Sequence, residues 1–263
     1  MPDGPLAQGV VVADRRSYGQ FCGFAKALDV LGDRWTLLIV RELVIAPRRF
    51  NELADNLPGI GPNLLSERLR SLTDCGVIER ATVNGDARGR VYALGEVGQA
   101  LREPVLQLAR WGMQFLTQEP TAGETRAEWG FLAINSMIDQ DAVPDRDECY
   151  EFHIDDEVFT VSVDSGTVTT RRGAGTDPVL QVFTDARTFL DIGAGLTTPF
   201  EAAVSGRLVM AGALSAVNRC NVLLGLAEPN MPSHKERSPR STATMHSSAA
   251  NRGRTARPRP ASR

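Results

Sequence analysis

The feature that most constrains this chain is a change of period. From Phe21 to Leu72, apolar residues recur at helical spacing in four closely spaced runs: FCGFAKALDVLG, RWTLLIVRELVIA, RFNELADNL and IGPNLLSERLRSL. After Gly76 the pattern changes to VIERATV and RVYAL, two short strands around the turn-forming NGDARG. Helical spacing resumes in EVGQALREPVLQLARWGMQFL, where Pro104 should end or kink the helix locally. Leu101, Val105, Leu108, Trp111 and Phe115 form one long apolar stripe on that last run. A stripe of this length on a terminal helix predicts a partner helix, most simply from a second copy of the chain in a homodimer.

Helices followed by a hairpin make the winged-helix plan, and the fourth run carries its chemistry. Gly61 and Pro62 mark a helix start, because proline suits a first turn. At 3.6 residues per turn Leu65, Leu69 and Leu72 share one side with Leu64 on the flank, while Asn63, Ser66, Glu67 and Arg70 point away. Asn can pair with adenine, Arg with guanine, and Ser with several base-edge groups. The plain alternative is a solvated helix face. Context favours DNA: RRFNELADNL ends just before the Gly-Pro entry, which gives the helix, short turn and helix that sets one helix in the major groove. The hairpin then presents Arg88 and Arg90 around Gly85 and Gly89, with Arg80 on the outgoing strand. A lone basic hairpin is commonly a solubilising turn. Following such a helix, it reads as a wing that reaches backbone phosphate or the minor groove.

Beyond residue 118 the composition changes. TQEPTAGETRAE is polar, with Pro and Gly, and reads as a linker. WGFLAINSMIDQ is helical; YEFHI, EVFTVSV, TVTTRR and PVLQVFT read as strands in a meander; ARTFLDIGAG, TPFEAAVSG and GALSAVNRCNVLLGL are helical, with RLVMA a short strand before the last. The expected fold class is therefore α+β, a winged helix-turn-helix domain followed by an α+β domain with an antiparallel sheet. The predicted limits are an arm over 1–19, the winged helix over 20–118, a linker over 119–126, a second domain over 127–228 and a tail over 229–263. The tail holds eight Lys and Arg against one acid and almost no large apolar residues, so it should be disordered. Residues 119–228 carry seven Lys and Arg against 18 acids, whereas residues 20–118 carry 12 against 11, so contact with a polyanion belongs to the first domain or the tail. The tail either adds weak, salt-sensitive DNA affinity or is a solvated extension.

Residues 20–118 resemble the HxlR-type winged-helix transcriptional regulators, on Cys22, LGDRWTLLIVREL, RRFNELADNLPGI, LLSERLRSLTDCGVIER and VYALGEVGQAL. The resemblance implies a homodimer that pairs through its terminal helices and binds pseudopalindromic double-stranded DNA. It maps Asn63, Ser66, Glu67 and Arg70 to the recognition helix, Arg88 and Arg90 to the wing, and Arg49 to the start of the preceding helix; Arg68 joins these arginines as a backbone-contact candidate. Two positions depart from the family pattern, Gly23 after the cysteine and Gly95 before the last helix, where Gly95 leaves a weaker N-cap. Some relatives use the N-terminal cysteine as a redox or electrophile sensor, a role that Cys22 could take; the alternative is an inert buried thiol. Residues 127–226 resemble, more loosely, the sterol carrier protein-like lipid-binding domains, chiefly through AAVSGRLVMAGALSAVNRC. That family encloses an apolar tunnel, which here would draw on Phe131, Phe152, Phe159, Phe183, Phe189, Phe200 and Met210, unless these residues are plain core.

The leading expectation is a transcriptional regulator whose second domain senses an apolar small molecule. The alternatives are a constitutive repressor with a dimerisation or docking module, and a lipid carrier. No enzyme is expected: His234 and His246 lie in the tail, leaving His153, and no Ser/His/Asp set, HExxH, P-loop or GxGxxG occurs. The four cysteines are far apart, with no CxxC pair, so neither a zinc site, a disulfide framework nor a cofactor is implied. The start MPDGPLAQGVVVADRR lacks a signal peptide's basic start and apolar run, and no apolar run is long enough for a membrane helix, so a cytoplasmic protein without membrane contact is expected.

Overall fold

A computed structural model of the chain describes residues 17–82, 89–117 and 125–226, all within one compact unit, Met1–Ala227. The expected arm up to residue 16, the hairpin turn at 83–88, most of the linker and the tail lie outside the described residues.

The first part contains α1 (Gly23–Leu31), α2 (Thr36–Ile45), α3 (Phe50–Asn56), α4 (Pro62–Asp74), β1 (Ile78–Thr82), β2 (Arg90–Leu94), α5 (Glu96–Gln99) and α6 (Arg102–Met113). Leu65, Leu69 and Leu72 of α4 pack against Ile39 and Leu43 of α2 and Leu53 of α3, closing a core. Each such leucine contributes roughly 1.5–3 kcal/mol by leaving water. Gly76 ends α4 at φ +68. Its N–H bonds to the Thr73 carbonyl at 2.9 Å and the Val77 N–H to the Leu72 carbonyl at 3.0 Å, a left-handed cap that turns the chain into β1. β1 and β2 pair antiparallel from Ile78 with Leu94 to Thr82 with Arg90. The helical run after β2 breaks at Ala100 and Leu101, and Pro104 sits in the first turn of α6, where its missing N–H leaves no bond unmade.

The second part contains α7 (Ala127–Met137), a 3-10 turn (Gln140–Ala142), β3 (Glu148–Ile154), β4 (Glu157–Asp164), β5 (Thr167–Arg172), β6 (Leu180–Thr184), α8 (Ala186–Gly193), α9 (Pro199–Val204), β7 (Leu208–Gly212) and α10 (Leu214–Leu223). The sheet runs β5-β4-β3-β6-β7. The expectation of an antiparallel sheet is corrected at one pair: β6 runs parallel to β3, and the other neighbours are antiparallel. The meander holds only through β5. Residues 173–179 then cross back over β4 and β3, where the Gly175 N–H bonds to Glu151 at 2.7 Å and the Val179 N–H to the Cys149 carbonyl at 2.9 Å. A Cβ at Gly175 would collide with the Cys149 sulfur, so only glycine lets the crossover lie this close to the strand.

Tyr150, Phe152, Phe159, Val161 and Val182 form the inner face of the sheet, beneath α7, α8 and α10. α7 serves both cores: Leu132 belongs to the first, Ala133, Ile134 and Met137 to the second. α6 does likewise, with Val105 in the first core and Met113 against the second. No helix among the described residues is long and apolar enough to cross a membrane.

Candidate nucleic-acid interface

α4 begins with Gly61 extended at the N-cap and Pro62 in the first turn. With Leu65, Leu69 and Leu72 buried, Asn63, Ser66, Glu67 and Arg70 are all exposed on the opposite side. The four side chains predicted to meet DNA are thus presented together, and Leu64 is half-buried on the flank.

Arg68 is placed differently. Its Nη1 lies 2.7 Å from Glu67 Oε1 and 3.3 Å from Asp33 Oδ2, and its side chain is 15% exposed. It stands one turn from Leu64 and Leu65 and so borders the buried stripe, tying α4 to the Gly32–Trp35 turn rather than extending toward a phosphate. Arg49 is exposed at the start of α3, where its N–H bonds to the Glu52 carboxylate at 2.6 Å. Arg90 opens β2 and is exposed, and Arg80 is exposed on β1 with its guanidinium 5.7 Å from the Tyr92 ring centre. Arg88 lies outside the described residues. At the base of the hairpin, Arg48 and Tyr92 exchange backbone bonds of 2.9 and 2.7 Å, an isolated antiparallel bridge beside β2.

Trp35 was not singled out by sequence reasoning. It starts α2 at φ +78, a left-handed conformation that costs a non-glycine residue about 1–3 kcal/mol. Its ring packs on Gly59, in the turn between α3 and α4, 3.5 Å from where a Cβ would stand. The Arg34 guanidinium lies 5.3 Å from the ring centre on the same side chain. Trp35 therefore shapes the turn that aims α4; the signal was the juxtaposition of GDRW with PGIG, which only the fold brings together.

Two further candidates lie away from α4. Cys22 is exposed at the N-cap of α1, which corrects the buried-thiol alternative, and the Ala25 and Phe24 N–H groups hold its pKa below the ordinary thiol value. Burial pushes the Cys220 thiol up to about 12, with the charge of Glu148 adding to it. The apolar stripe of the last helix divides. Val105 is buried and Leu101 packs against the first core, whereas Leu108, Trp111 and Phe115 are exposed, with the Trp111 and Phe115 rings 4.9 Å apart edge to face.

Comparison with known proteins gives the family of the first part. Residues 30–120 match the family described as HxlR-like helix-turn-helix. The HTH-type transcriptional regulator YodB of Bacillus subtilis is 33% identical over 98 residues, 37% of this chain and 88% of YodB. The chain belongs to the HxlR-like family. YvaP of Bacillus subtilis, an uncharacterized HTH-type transcriptional regulator, is 33% identical over 93 residues, 35% of this chain and 86% of that protein. An uncharacterized HTH-type transcriptional regulator of Mycobacterium tuberculosis is 42% identical over 91 residues, 35% of this chain and 57% of that protein, so the chain spans little more than half of that relative. A crystal structure of quinone-bound YodB is 34% identical at a TM-score of 0.30, covering 35% of this chain and 97% of the other.

The HxlR-like match ends at the linker, and the tunnel candidates lie beyond it. Phe152, Phe159 and Phe189 are buried, and Phe131 and Met210 pack against the same core, with Phe152 and Phe189 centred 6.0 Å apart and Phe131 and Phe159 5.8 Å apart. Phe183 and Phe200 do not join them. Val182 faces inward, so strand alternation turns Phe183 to the outer face, where it stacks on His153 at 4.4 Å. On α9 the core position is taken by Ala202, leaving Phe200 75% exposed. A cleft of about 460 Å³ lies where the two parts meet, lined by Arg48, Asn56 and Arg126 and by acids including Glu52, Asp55 and Asp155. No group of three or more His, Cys, Asp or Glu able to hold a metal occurs among the described residues.

Proposed function

We propose that the chain is a transcriptional regulator that binds double-stranded DNA as a homodimer, with one α4 in the major groove of each half of a pseudopalindromic operator. The observation that carries the reading is the α4 face itself, on which Asn63, Ser66, Glu67 and Arg70 stand exposed over a stripe of buried leucines. Arg90 and Arg88 supply the wing, and Arg49 adds a backbone contact. The exposed Leu108, Trp111 and Phe115 of α6 provide the apolar surface for pairing with a second copy.

The second part, 127–228, acts in this reading as a sterol carrier protein-like sensor of an apolar small molecule. Its support is the order of helix, three-stranded meander, a fourth strand, two helices, strand and final helix, together with the aromatic core under the sheet. A ligand controls DNA binding only if it favours one placement of the paired winged helices over another. Close packing of Phe152 on Phe189 and of Phe131 on Phe159 favours a second reading, in which this part is a docking module without a ligand.

A gel-shift titration against the DNA upstream of the chain's own gene tests the first claim. A sequence preference that survives moderate salt supports it, and its absence refutes it. Native mass spectrometry separates the two readings of the second part: a co-purified apolar molecule supports sensing, and a bare mass supports docking.

A further inference from the structure

The first turn of α7 belongs to the second part of the chain, yet its side chains reach the two elements that flank the recognition helix. Arg126, just before the helix, donates from Nη1 to Asn56 Oδ1 and from Nη2 to the Asp55 carbonyl, both at 2.8 Å. These residues are the C-terminal end of α3, from which the chain turns into α4. Glu128 accepts from Arg48 at 2.7 Å, and Arg48 is the residue whose backbone is bonded in both directions to Tyr92 at the base of the wing. Trp129 lies beneath the Arg41 guanidinium, 4.6 Å from its ring centre, with its Nε1 3.4 Å from the buried Glu42 carboxylate.

The other oxygen of Glu128 accepts from Arg172 at the end of β5 at 2.9 Å, and Arg172 also pairs with Glu157 at 2.7 Å. One carboxylate is thus held from both sides, by the wing base and by the sheet of the second part. Both partners are largely withdrawn from water, where a charged pair is held more rigidly than on an open surface.

We propose that the first turn of α7, through Arg126, Glu128 and Trp129, is a positioning device that fixes the distance between recognition helix and wing, making the second part a structural member of the DNA-binding surface. Arg126 holds the turn before α4 and Glu128 holds the strand pairing beneath the wing, so a single rigid turn spans both. Loss of the Glu128 charge frees Arg48 and lets the hairpin move relative to α4. The proposal rests on the reading of α4 and β2 as DNA-contacting elements, but its geometric claim can be tested without DNA.

Two measurements on the full-length chain decide it. In the first, spin labels at Asn63→Cys and Arg90→Cys, in a Cys22→Ser background, report the spacing of α4 and β2 by pulsed electron resonance. Glu128→Gln is expected to shift or broaden the distance distribution, and one superimposable on that of the unsubstituted turn overturns the proposal. Trp129→Phe keeps the ring under Arg41 and removes its N–H, and serves as the milder variant should Glu128→Gln fail to fold.

In the second, affinity is measured for a duplex selected by the wild-type chain from a randomised library. Glu128→Gln is expected to weaken binding about tenfold, within the range that couplings between contacting residues reach, and to cost much less when Arg90→Ala has already removed the wing contact. A loss that is the same on both backgrounds marks a general structural effect and overturns the proposal. A wild-type chain that selects no duplex refutes the DNA-binding reading, while the distance measurement still decides the positioning claim.

Discussion

The fully buried carboxylate of Glu42 accepts a hydrogen bond from the Asn56 amide at 2.8 Å, fastening the middle of α2 to the last turn of α3. Arg41 satisfies the other oxygen at 2.6 Å, and the side-chain Oδ1 of Asn56 accepts from Arg126. Asn56→Ala removes a donor from a buried charge and an acceptor from an arginine. A loss of about 1–3 kcal/mol is expected in urea unfolding, the cost of leaving a buried polar group unmatched. Unchanged stability would mean that water takes over the role of Asn56.

Leu132→Ala tests the sharing of α7. It removes a side chain that belongs to the first core from a helix whose opposite face belongs to the second, and should cost about 2–5 kcal/mol. Calorimetry on the wild type should show one cooperative transition for the two parts, and the variant one transition at lower temperature. Two separate transitions, with only the first shifted, would show that the cores melt independently.

Arg70→Ala and Arg68→Ala separate two arginines on one helix. Arg70 is exposed, so its loss should change stability by less than about 0.5 kcal/mol and weaken operator binding by about 1–3 kcal/mol. Arg68 is engaged with Asp33 and Glu67 within the protein. Its replacement should lower the melting temperature with no base-specific change in binding. A variant of Arg68 with a normal melting temperature and reduced specificity would reverse the assignment.

Thiol labelling should follow a fixed order. Cys22 is exposed and its thiolate is favoured by two backbone N–H groups, so it should react first, and at lower pH than a free cysteine does. Cys220 is buried with its thiol pushed up to about 12, and should react only after unfolding. Mass spectrometry of iodoacetamide-treated native protein checks both expectations; early modification of Cys220 would contradict the packing of α10.

The acid limb of stability should carry the mark of Glu128. Burial alone would raise its carboxyl, but Arg48 and then Arg172 more than offset that, leaving it below its ordinary value of 4.5. A depressed carboxyl contributes stability that is present in full above the unfolded-state value and is lost as pH falls through the folded one. Wild-type stability should therefore drop as pH falls below about 4.5, and Glu128→Gln should be less stable at neutral pH with a flatter acid limb. Parallel curves for the two proteins would exclude this pair as the source of the pH dependence.

What the sequence made legible was local. The α3 and α4 pair, the Gly-Pro entry and the outward set on α4 follow from spacing within a few turns, and the structure places them as the spacing implies. The parallel pairing of β6 with β3 was not legible, because it depends on a crossover held by Glu151 and on the room that Gly175 leaves beside Cys149. Arg68 read as a backbone-contact candidate because spacing along α4 does not show that Asp33, remote in sequence, joins Glu67 in holding it. Phe183 and Phe200 read as interior because an aromatic residue does not declare which face of its strand or helix is covered.

The shared helix α7 bears on how such regulators can be recombined. A cut in the linker would leave the N-terminal fragment without Leu132, Glu128 and Trp129, and the C-terminal fragment with an apolar helix face that nothing covers. A cut after Met137, where α7 ends, fails in the opposite sense, because it takes Ala133, Ile134 and Met137 out of the second core. Chimeras that exchange the C-terminal half as a cassette therefore have to rebuild one set of α7 contacts in the new neighbour, whichever side of the helix is cut.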